Sequence, residues 1–271
     1  MVGSLAGMGL ELAVGEALAA LRNVRFILMT VVWGWVLCPA FAYLLAKIIP
    51  MEQPYAIGLI LLGMTPCAPF TPMMVKKAHG DLGYAGALML LTAIGTVAFM
   101  PFAVPRMVAG LKADAWVVGK PLLFFVLIPL LAGMAVRGFS AAVASRIYPL
   151  VRKATNIITL VMIVAIEVAY GEGFISAIGS YAIGTQILFV GVVTLATYGL
   201  SFGLKEGQKS VLSIGMCTRN LGAAMAPLMT IQSDSRSIVM IAIGIPVTLI
   251  ISFLAARWYA GLAPGDEPAG Q

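Results

Sequence analysis

Charged residues are scarce in this sequence of 271 residues, and the scarcity decides its class. Only 10% of the residues are charged, whereas 61% are hydrophobic, and the mean hydropathy is +1.01. Because a soluble domain carries about 25% charged residues, this chain has too few of them to cover a water-exposed surface. The composition therefore excludes a soluble globular protein and predicts a polytopic membrane protein.

Cysteine, histidine and paired acids are also scarce, which argues against several kinds of site. Cys38, Cys67 and Cys217 form no CxxC pair and lie in apolar stretches, so neither a disulfide framework nor a metal site is predicted. The single histidine, His79, lies in a short loop beside two lysines. The acids within the apolar runs are isolated, so an intramembrane enzyme is not predicted and no cofactor is expected.

The net charge of +6 does not indicate a nucleic-acid partner, because the basic residues are scattered singly between apolar runs. That distribution is typical of helix ends that face the cytoplasm and anionic lipid. Membrane lipid is an expected partner, and no obligatory protein partner is evident.

Eight apolar runs are long enough to span a bilayer, which takes about 20 residues. The predicted spans are Val24–Ile49, Tyr55–Lys76, Leu82–Val108, Val117–Val136, Lys153–Tyr170, Ser180–Leu204, Gln208–Thr230 and Ser237–Tyr259. Before them, residues 1–21 are apolar but carry Glu11 and Glu16, which indicates the end of a span that runs into an interfacial helix. We take residues 1–110 and 111–260 as two halves and expect the tail, 261–271, to be disordered.

The positions of lysine and arginine predict the orientation in the membrane. If the loop after Leu21 is cytoplasmic, eleven basic residues lie on the cytoplasmic face and five on the other. Because short cytoplasmic loops carry an excess of Lys and Arg, we expect a multi-pass protein of the cytoplasmic (inner) membrane with a cytoplasmic C-terminus. Only Arg219 is left within the membrane.

One predicted span, Tyr55–Lys76, contains three prolines within seven residues, at Pro66, Pro69 and Pro72. Each proline lacks a donor N–H and clashes with the preceding helical turn. In hydrocarbon, such a break survives only where protein or a water-filled cavity surrounds it. We therefore expect two half-helices joined by an unwound stretch.

A second interruption lies in the span Gln208–Thr230, where Gly215, Thr218, Arg219 and Asn220 fall at mid-membrane. An arginine at that depth costs at least about 2.5 kcal/mol on insertion scales, so its presence indicates a functional position. Each interruption lies in the span before the last of its half.

Paired interruptions of this kind are a pointer to the binding site of a carrier, because half-helix ends offer their dipoles to a substrate. The residues predicted to line the substrate site are Thr65, Pro66, Cys67, Thr71, Cys217, Thr218, Arg219 and Asn220.

Several motifs along the chain resemble the bile acid:sodium symporter family, in the broad sense that includes many bacterial carriers of unassigned substrate. The motifs are Gly7-Met-Gly-Leu-Glu-Leu, Arg22-Asn-Val-Arg25, Leu37-Cys-Pro39, Gly63-Met-Thr-Pro-Cys67, Ala78-His-Gly-Asp81, Ile128-Pro-Leu-Leu-Ala-Gly133 and Gly215-Met-Cys-Thr-Arg-Asn220. The resemblance implies two inverted five-helix repeats and a core domain in which two discontinuous helices cross. Against that pattern the first repeat is incomplete, so either Met1 is not the natural start or this branch has lost a helix.

The resemblance also bears on the coupling ion, for which sodium and the proton are both candidates. Thr71 can replace a serine of the family's sodium sites, but Pro72 stands in place of an asparagine, and Ala85 and Met89 occupy positions where hydroxyls would be expected. At the second break, Arg219 stands in place of a glutamine, and a guanidinium repels a cation. We expect sodium coupling to be altered or absent.

Arg219 has two candidate roles, namely contact with a substrate or substitution for a missing cation, and a structural ion pair with Glu167. Glu167 is also a candidate site for proton coupling. Thr71 is a candidate ligand of a coupling ion. Thr218 and Asn220 are candidates for helix capping and for substrate contact.

The leading hypothesis is a secondary active transporter that moves a small organic anion by alternating access. One alternative is an arsenite or metalloid efflux carrier, because related arsenical-resistance carriers have a functional cysteine in a pair like Pro66-Cys67. The other is a degenerate family member that transports nothing.

Overall fold

The protein is an all-α bundle in a computed structural model that describes residues 2–12, 14–108, 114–229 and 234–262. The helices are α1 (Val2–Glu11), α2 (Val14–Ala20), α3 (Val24–Ile48), α4 (Gln53–Gly63), α5 (Thr71–Lys77), α6 (Leu82–Met107), α7 (Ala115–Phe139), α8 (Ala141–Ala177), α9 (Ala182–Gly199), α10 (Glu206–Cys217), α11 (Leu221–Met225) and α12 (Ser235–Leu262). A short 3-10 turn over Ala226–Met229 follows α11. The predicted fold class, a polytopic membrane helical bundle, is confirmed.

Within the described ranges, five helices are long and apolar enough to cross a membrane, namely α3, α6, α7, α9 and α12. Their bounds differ from the predicted spans by a few residues. The predicted span Lys153–Tyr170 is the interior of the longer helix α8, which has 37 residues and a kink at Tyr170. The sequence prediction followed only the apolar run, whereas the helix begins where the Ser140 hydroxyl accepts a hydrogen bond from the Val143 N–H at 3.3 Å.

Both predicted interruptions are present. Residues 64–70 separate α4 from α5, and residues 218–220 separate α10 from α11. Pro66 and Pro69 lie in the first gap, where they have no helical N–H to lose. Pro72 lies in the first turn of α5 instead, a position at which the N–H has no helical partner, so it starts a helix rather than breaking one.

Helix α3 contains a π-helical stretch, Val32–Leu37, just before Pro39. The Cys38 N–H donates to the Trp33 carbonyl, five residues back instead of four. A proline has no N–H with which to continue the regular ladder, and a widened turn beside it places Cys38 on the inner side of the helix. Cys38 is fully buried.

Small residues bring α4 into the centre of the bundle. A Cβ at Gly63 would lie 3.3 Å from the Cys38 carbonyl of α3, and a Cβ at Gly58 would lie 2.7 Å from the Ser237 carbonyl of α12. Every residue from 58 to 68 and from 210 to 220 is buried. The two gaps therefore lie inside the protein and not against lipid.

Candidate functional site

The two gaps cross each other and form an isolated antiparallel bridge between Pro66 and Arg219. Beside the bridge, the Asn220 N–H donates to the Thr65 carbonyl at 2.8 Å. Backbone groups that leave the helical ladder in one span are thus satisfied by the other span. Buried backbone groups need hydrogen-bond partners where water is absent, and these contacts between the two spans provide them.

Cys67 is the centre of the exchange. Its N–H lies 2.9 Å from the Gly215 carbonyl and 2.8 Å from the Thr218 carbonyl, so one donor serves two acceptors at the end of α10. Its φ of +69° lies in the left-handed region, which an L-residue adopts at a cost of about 1–2 kcal/mol. The surrounding contacts therefore impose this backbone conformation.

Two threonines connect the gaps through their side chains. The hydroxyl oxygens of Thr71 and Thr218 are 2.7 Å apart, and the Thr218 hydroxyl also accepts from the Ala68 N–H at 3.3 Å. The Ala68 and Ile214 carbonyls lie 2.6 Å from the Thr71 hydroxyl and 2.9 Å from the Thr218 hydroxyl, respectively. Because each hydroxyl has one proton, one threonine donates to the other and the second donates to its carbonyl. Both threonines are fully buried, so these contacts replace water as their partners.

Asn220 caps the second half-helix of its span. Its side-chain oxygen accepts a hydrogen bond from the Ala223 N–H at 3.1 Å, in the first turn of α11. The capping role considered for Asn220 is therefore observed. Its exposed fraction is only 8%.

Arg219 is a fully buried cation held by weak partners. Its Nη1 lies 3.4 Å from the Gly63 carbonyl, its Nη2 lies 3.3 Å from the Cys38 sulfur, and the guanidinium carbon lies 4.9 Å from the centre of the Phe189 ring. The side chain is 0% exposed, and its Nε finds no acceptor among the described residues. Among those residues the ion pairs lie elsewhere, at Glu206 and Arg236.

The site therefore brings seven of the eight predicted residues into direct contact across the gaps. Cys217 is the fully buried last residue of α10 and is next to the crossing along the chain. Glu167 lies in α8, and its side chain is outside the described residues, so the proposed pair with Arg219 remains a prediction. Among the described residues, no group of three His, Cys, Asp or Glu side chains is placed to hold a metal ion.

A sequence model described as the Sodium Bile acid symporter family matches residues 2–177. The chain belongs to this family. The Bacillus subtilis (strain 168) protein named "Uncharacterized sodium-dependent transporter YocS" is 28% identical over 233 residues, which cover 81% of this chain and 70% of the relative. As a member of the symporter family, the chain is a multi-pass membrane transporter.

Sequence reasoning missed Cys38, Gly63 and Phe189, all of which contact Arg219 in this symporter-family protein. It also missed Gln186, a fully buried residue of α9. A signal for Gln186 was present, because it is the single amide side chain in the apolar run Ser180–Leu204. Cys38 and Phe189 carry no such signal, since a buried cysteine or phenylalanine in an apolar helix is ordinary.

Proposed function

We propose that this symporter-family protein is a secondary active transporter that moves a small organic anion across the cytoplasmic membrane by alternating access. Arg219 is the observation that carries the proposal. It is a buried cation at the crossing of two interrupted helices, and its described partners are a carbonyl, a thiol and an aromatic ring, all of them uncharged.

An uncompensated charge in a buried site is costly, and the three neutral contacts offset that cost only in part. An anionic substrate would supply the missing negative charge together with acceptors for the guanidinium. The residues around Arg219 are buried, so a substrate reaches it only when the crossing separates from its neighbours. Such a movement, alternately toward each side of the membrane, is what alternating access requires.

We further propose that sodium coupling is altered or absent. The name of the Bacillus subtilis relative describes that protein as sodium-dependent. In this chain a guanidinium lies in the crossing, where it repels a nearby cation. Ala85 and Met89, positions at which the family resemblance led us to expect hydroxyls, are buried apolar residues.

We propose a cytoplasmic C-terminus on the basis of the eleven-to-five distribution of lysine and arginine. Two contacts support it. Arg25 donates to the Gly203 carbonyl at 3.1 Å, and the Asp81 N–H donates to the Gly207 carbonyl at 3.4 Å. The loops that follow α2, α5 and α9, each with a lysine or arginine within it or in the helical turn before it, therefore lie at one end of the bundle.

Uptake by reconstituted vesicles tests the proposal. Radiolabelled acetate, lactate, pyruvate and succinate would be supplied to wild-type protein with and without an inward sodium gradient. We expect uptake of at least one of them, loss of that uptake in Arg219→Ala, and partial retention in Arg219→Lys, which keeps the charge. Arg22→Ala, which removes a cation outside the crossing, is the control and should transport normally.

Two results would contradict the proposal. Undiminished uptake by a folded Arg219→Ala protein would remove Arg219 from the mechanism. Uptake that collapses without sodium would show that the coupling is intact and that the guanidinium does not interfere with it.

A further inference from the structure

Two buried side chains near the crossing have polar atoms without hydrogen-bond partners among the described residues. One is Arg219, whose Nε has none, and the other is Gln186, for which both amide atoms have none. Both residues are 0% exposed. Burying an amide without partners costs free energy comparable to several lost hydrogen bonds, so two such groups in one region need a physical explanation.

The first link between them is Phe189. It lies three residues after Gln186 in α9, and side chains at that spacing share one face of a helix. The guanidinium carbon of Arg219 lies 4.9 Å from the centre of the Phe189 ring. The face of α9 that presents Gln186 is therefore the face that contacts Arg219.

The second link is the position of the amide nitrogen itself. Gln186 Nε2, a methyl carbon of Leu62 and a methyl carbon of Leu221 all lie within 3.4 Å of the point where a Cβ would stand at Gly244. Leu62 precedes the residue whose carbonyl accepts from Arg219, and Leu221 follows Arg219 by two positions. The amide therefore shares the surroundings of Gly244 with one residue from each side of the crossing.

We propose that Arg219 and Gln186 together recognise one carboxylate of the transported anion. The proposal rests on the proposed function and names the chemistry of its substrate. The Nε–H of Arg219 and the Nε2 protons of Gln186 are donors without partners among the described residues, and a carboxylate has two oxygens that accept from two donors at once. The guanidinium supplies a positive charge. The amide adds a hydrogen bond that orients the carboxylate without adding a second charge.

The closed state of the site fits this role. In it, both donors are sealed inside protein, and a Cβ at Gly244 would lie 3.2 Å from Gln186 Nε2. The space between α9, α12 and the crossing is thus already filled by side chains. A carboxylate gains access when these elements separate, and its two hydrogen bonds then compensate for the polar groups left unpaired on closure.

The placement can be tested without any ligand, by the substitution Gln186→Glu. If Gln186 adjoins Arg219, the new carboxylate pairs with the guanidinium, so the melting temperature in detergent should be retained or raised. In an Arg219→Gln background the same substitution buries an unpaired carboxylate and should lower the melting temperature sharply. An equal loss in both backgrounds would show that the two groups are not neighbours and would overturn the proposal.

The function of the pair can be tested by binding. Acetate, lactate, pyruvate and succinate would be titrated against wild type, Gln186→Leu and Thr185→Val, with thermal stabilisation as the readout. Thr185 is a matched control, since it is a buried polar residue in the same helix whose hydroxyl bonds to the Tyr181 carbonyl at 2.8 Å. We expect Gln186→Leu to weaken binding about tenfold and Thr185→Val to leave it unchanged.

The outcomes separate this inference from the proposed function. A wild-type protein that no carboxylate stabilises overturns both. A wild-type protein that binds a carboxylate, with Gln186→Leu binding equally well, leaves the anion transporter in place and removes Gln186 from recognition.

Discussion

Helices α1 and α7 touch through glycines, whereas α4 and α10 meet through the irregular residues at their ends. A Cβ at Gly9 would lie well under 3.0 Å from the Leu130 carbonyl, and a Cβ at Gly133 equally close to the Ala6 carbonyl. The glycine contact is a steric fit that leaves the helical hydrogen bonds intact. The crossing is instead made of hydrogen bonds exchanged between segments that have left the helical ladder.

The difference indicates what each contact is suited to do. A contact between two backbones without side chains depends on a fixed separation, because close packing tolerates little displacement. Hydrogen bonds between separate segments can be exchanged for bonds to water or to a substrate. We therefore expect the α1/α7 contact to stay rigid and the crossing to change during transport.

The largest expected effect is that of Cys67→Pro. Proline has no N–H to serve the Gly215 and Thr218 carbonyls, and its φ of about −65° cannot match the +69° observed. We expect a loss of more than about 3 kcal/mol, seen as failure to purify a monodisperse protein. Cys67→Gly, which adopts positive φ freely, should fold and melt near the wild type. A stable Cys67→Pro protein would show that the crossing is not held as described.

The next largest effect is expected for Gly133→Ala, which disturbs the contact between α1 and α7. Its Cβ meets a backbone carbonyl that cannot rotate away, so we expect a loss of about 1–3 kcal/mol or more in the thermal stability of purified protein. Gly138→Ala is the matched control in the same helix, where a Cβ meets nothing within 4 Å. Equal melting temperatures for the two variants would contradict the close contact.

Thr218→Val should have a smaller effect, confined to the crossing. It leaves the Ala68 N–H without its side-chain acceptor, which costs about 1–3 kcal/mol, and it should alter transport as well as stability. Thr248→Val is the control, because among the described residues that buried hydroxyl bonds within its own helix, at 2.6 Å to the Gly244 carbonyl. Thermal melts combined with uptake assays would separate them. If the two variants had the same melting temperature and the same uptake, the crossing would have no special role in transport.

The smallest effect is expected at the membrane surface, at Asp234→Asn. Arg236 contacts both Asp234 and Glu52, and its guanidinium holds the pKa of the Asp234 carboxyl below the ordinary value. A lowered folded-state pKa means that the pair stabilises the protein above the unfolded-state pKa, near 4, and that this contribution is lost as the pH falls through the lower, folded-state pKa. The pair is exposed and screened, so we expect a small drop in melting temperature at pH 7.

The pH dependence provides the check. The difference between wild type and Asp234→Asn should shrink as the pH is lowered below about 4. A difference that stays constant with pH would show that the ion pair is not its cause. The α1/α7 contact and the crossing contain no such titrating pair among the described residues, so the effects of Gly133→Ala and Cys67→Gly should vary little over the same range.

Much of this architecture could be predicted from sequence, since it depends on local chemistry. Pro66 and Pro69 each remove a helical donor, which predicts the gap at residues 64–70, whereas α6 stays helical through Pro101 and Pro105. Arg219 stands out because a charge is rare at mid-membrane. Proximity to the breaks was enough to predict Thr65, Thr218 and Asn220 as site residues. All three lie in the crossing.

The partners of Arg219 could not be predicted, because they depend on packing between distant segments. Phe189 and Cys38 lie 30 and 181 positions away along the chain, and neither residue type signals a contact with a cation. The role of Pro72 was also misjudged, since a proline can begin a helix as readily as it ends one. Whether a proline begins or ends a helix depends on its position relative to the first turn, which the sequence around Pro72 does not fix.

The widened turn at Val32–Leu37 has a consequence for how α3 can vary. A π turn holds one more residue than the α turn it replaces, and each residue added to or removed from a helix rotates the remainder of that helix by about 100°. Deleting a single residue within Val32–Leu37 would turn the π turn into a regular α turn and leave the Cys38 thiol on the same side of the helix, beside the Arg219 guanidinium. A deletion in the regular part of α3 has no such spare residue, so it would rotate the rest of the helix.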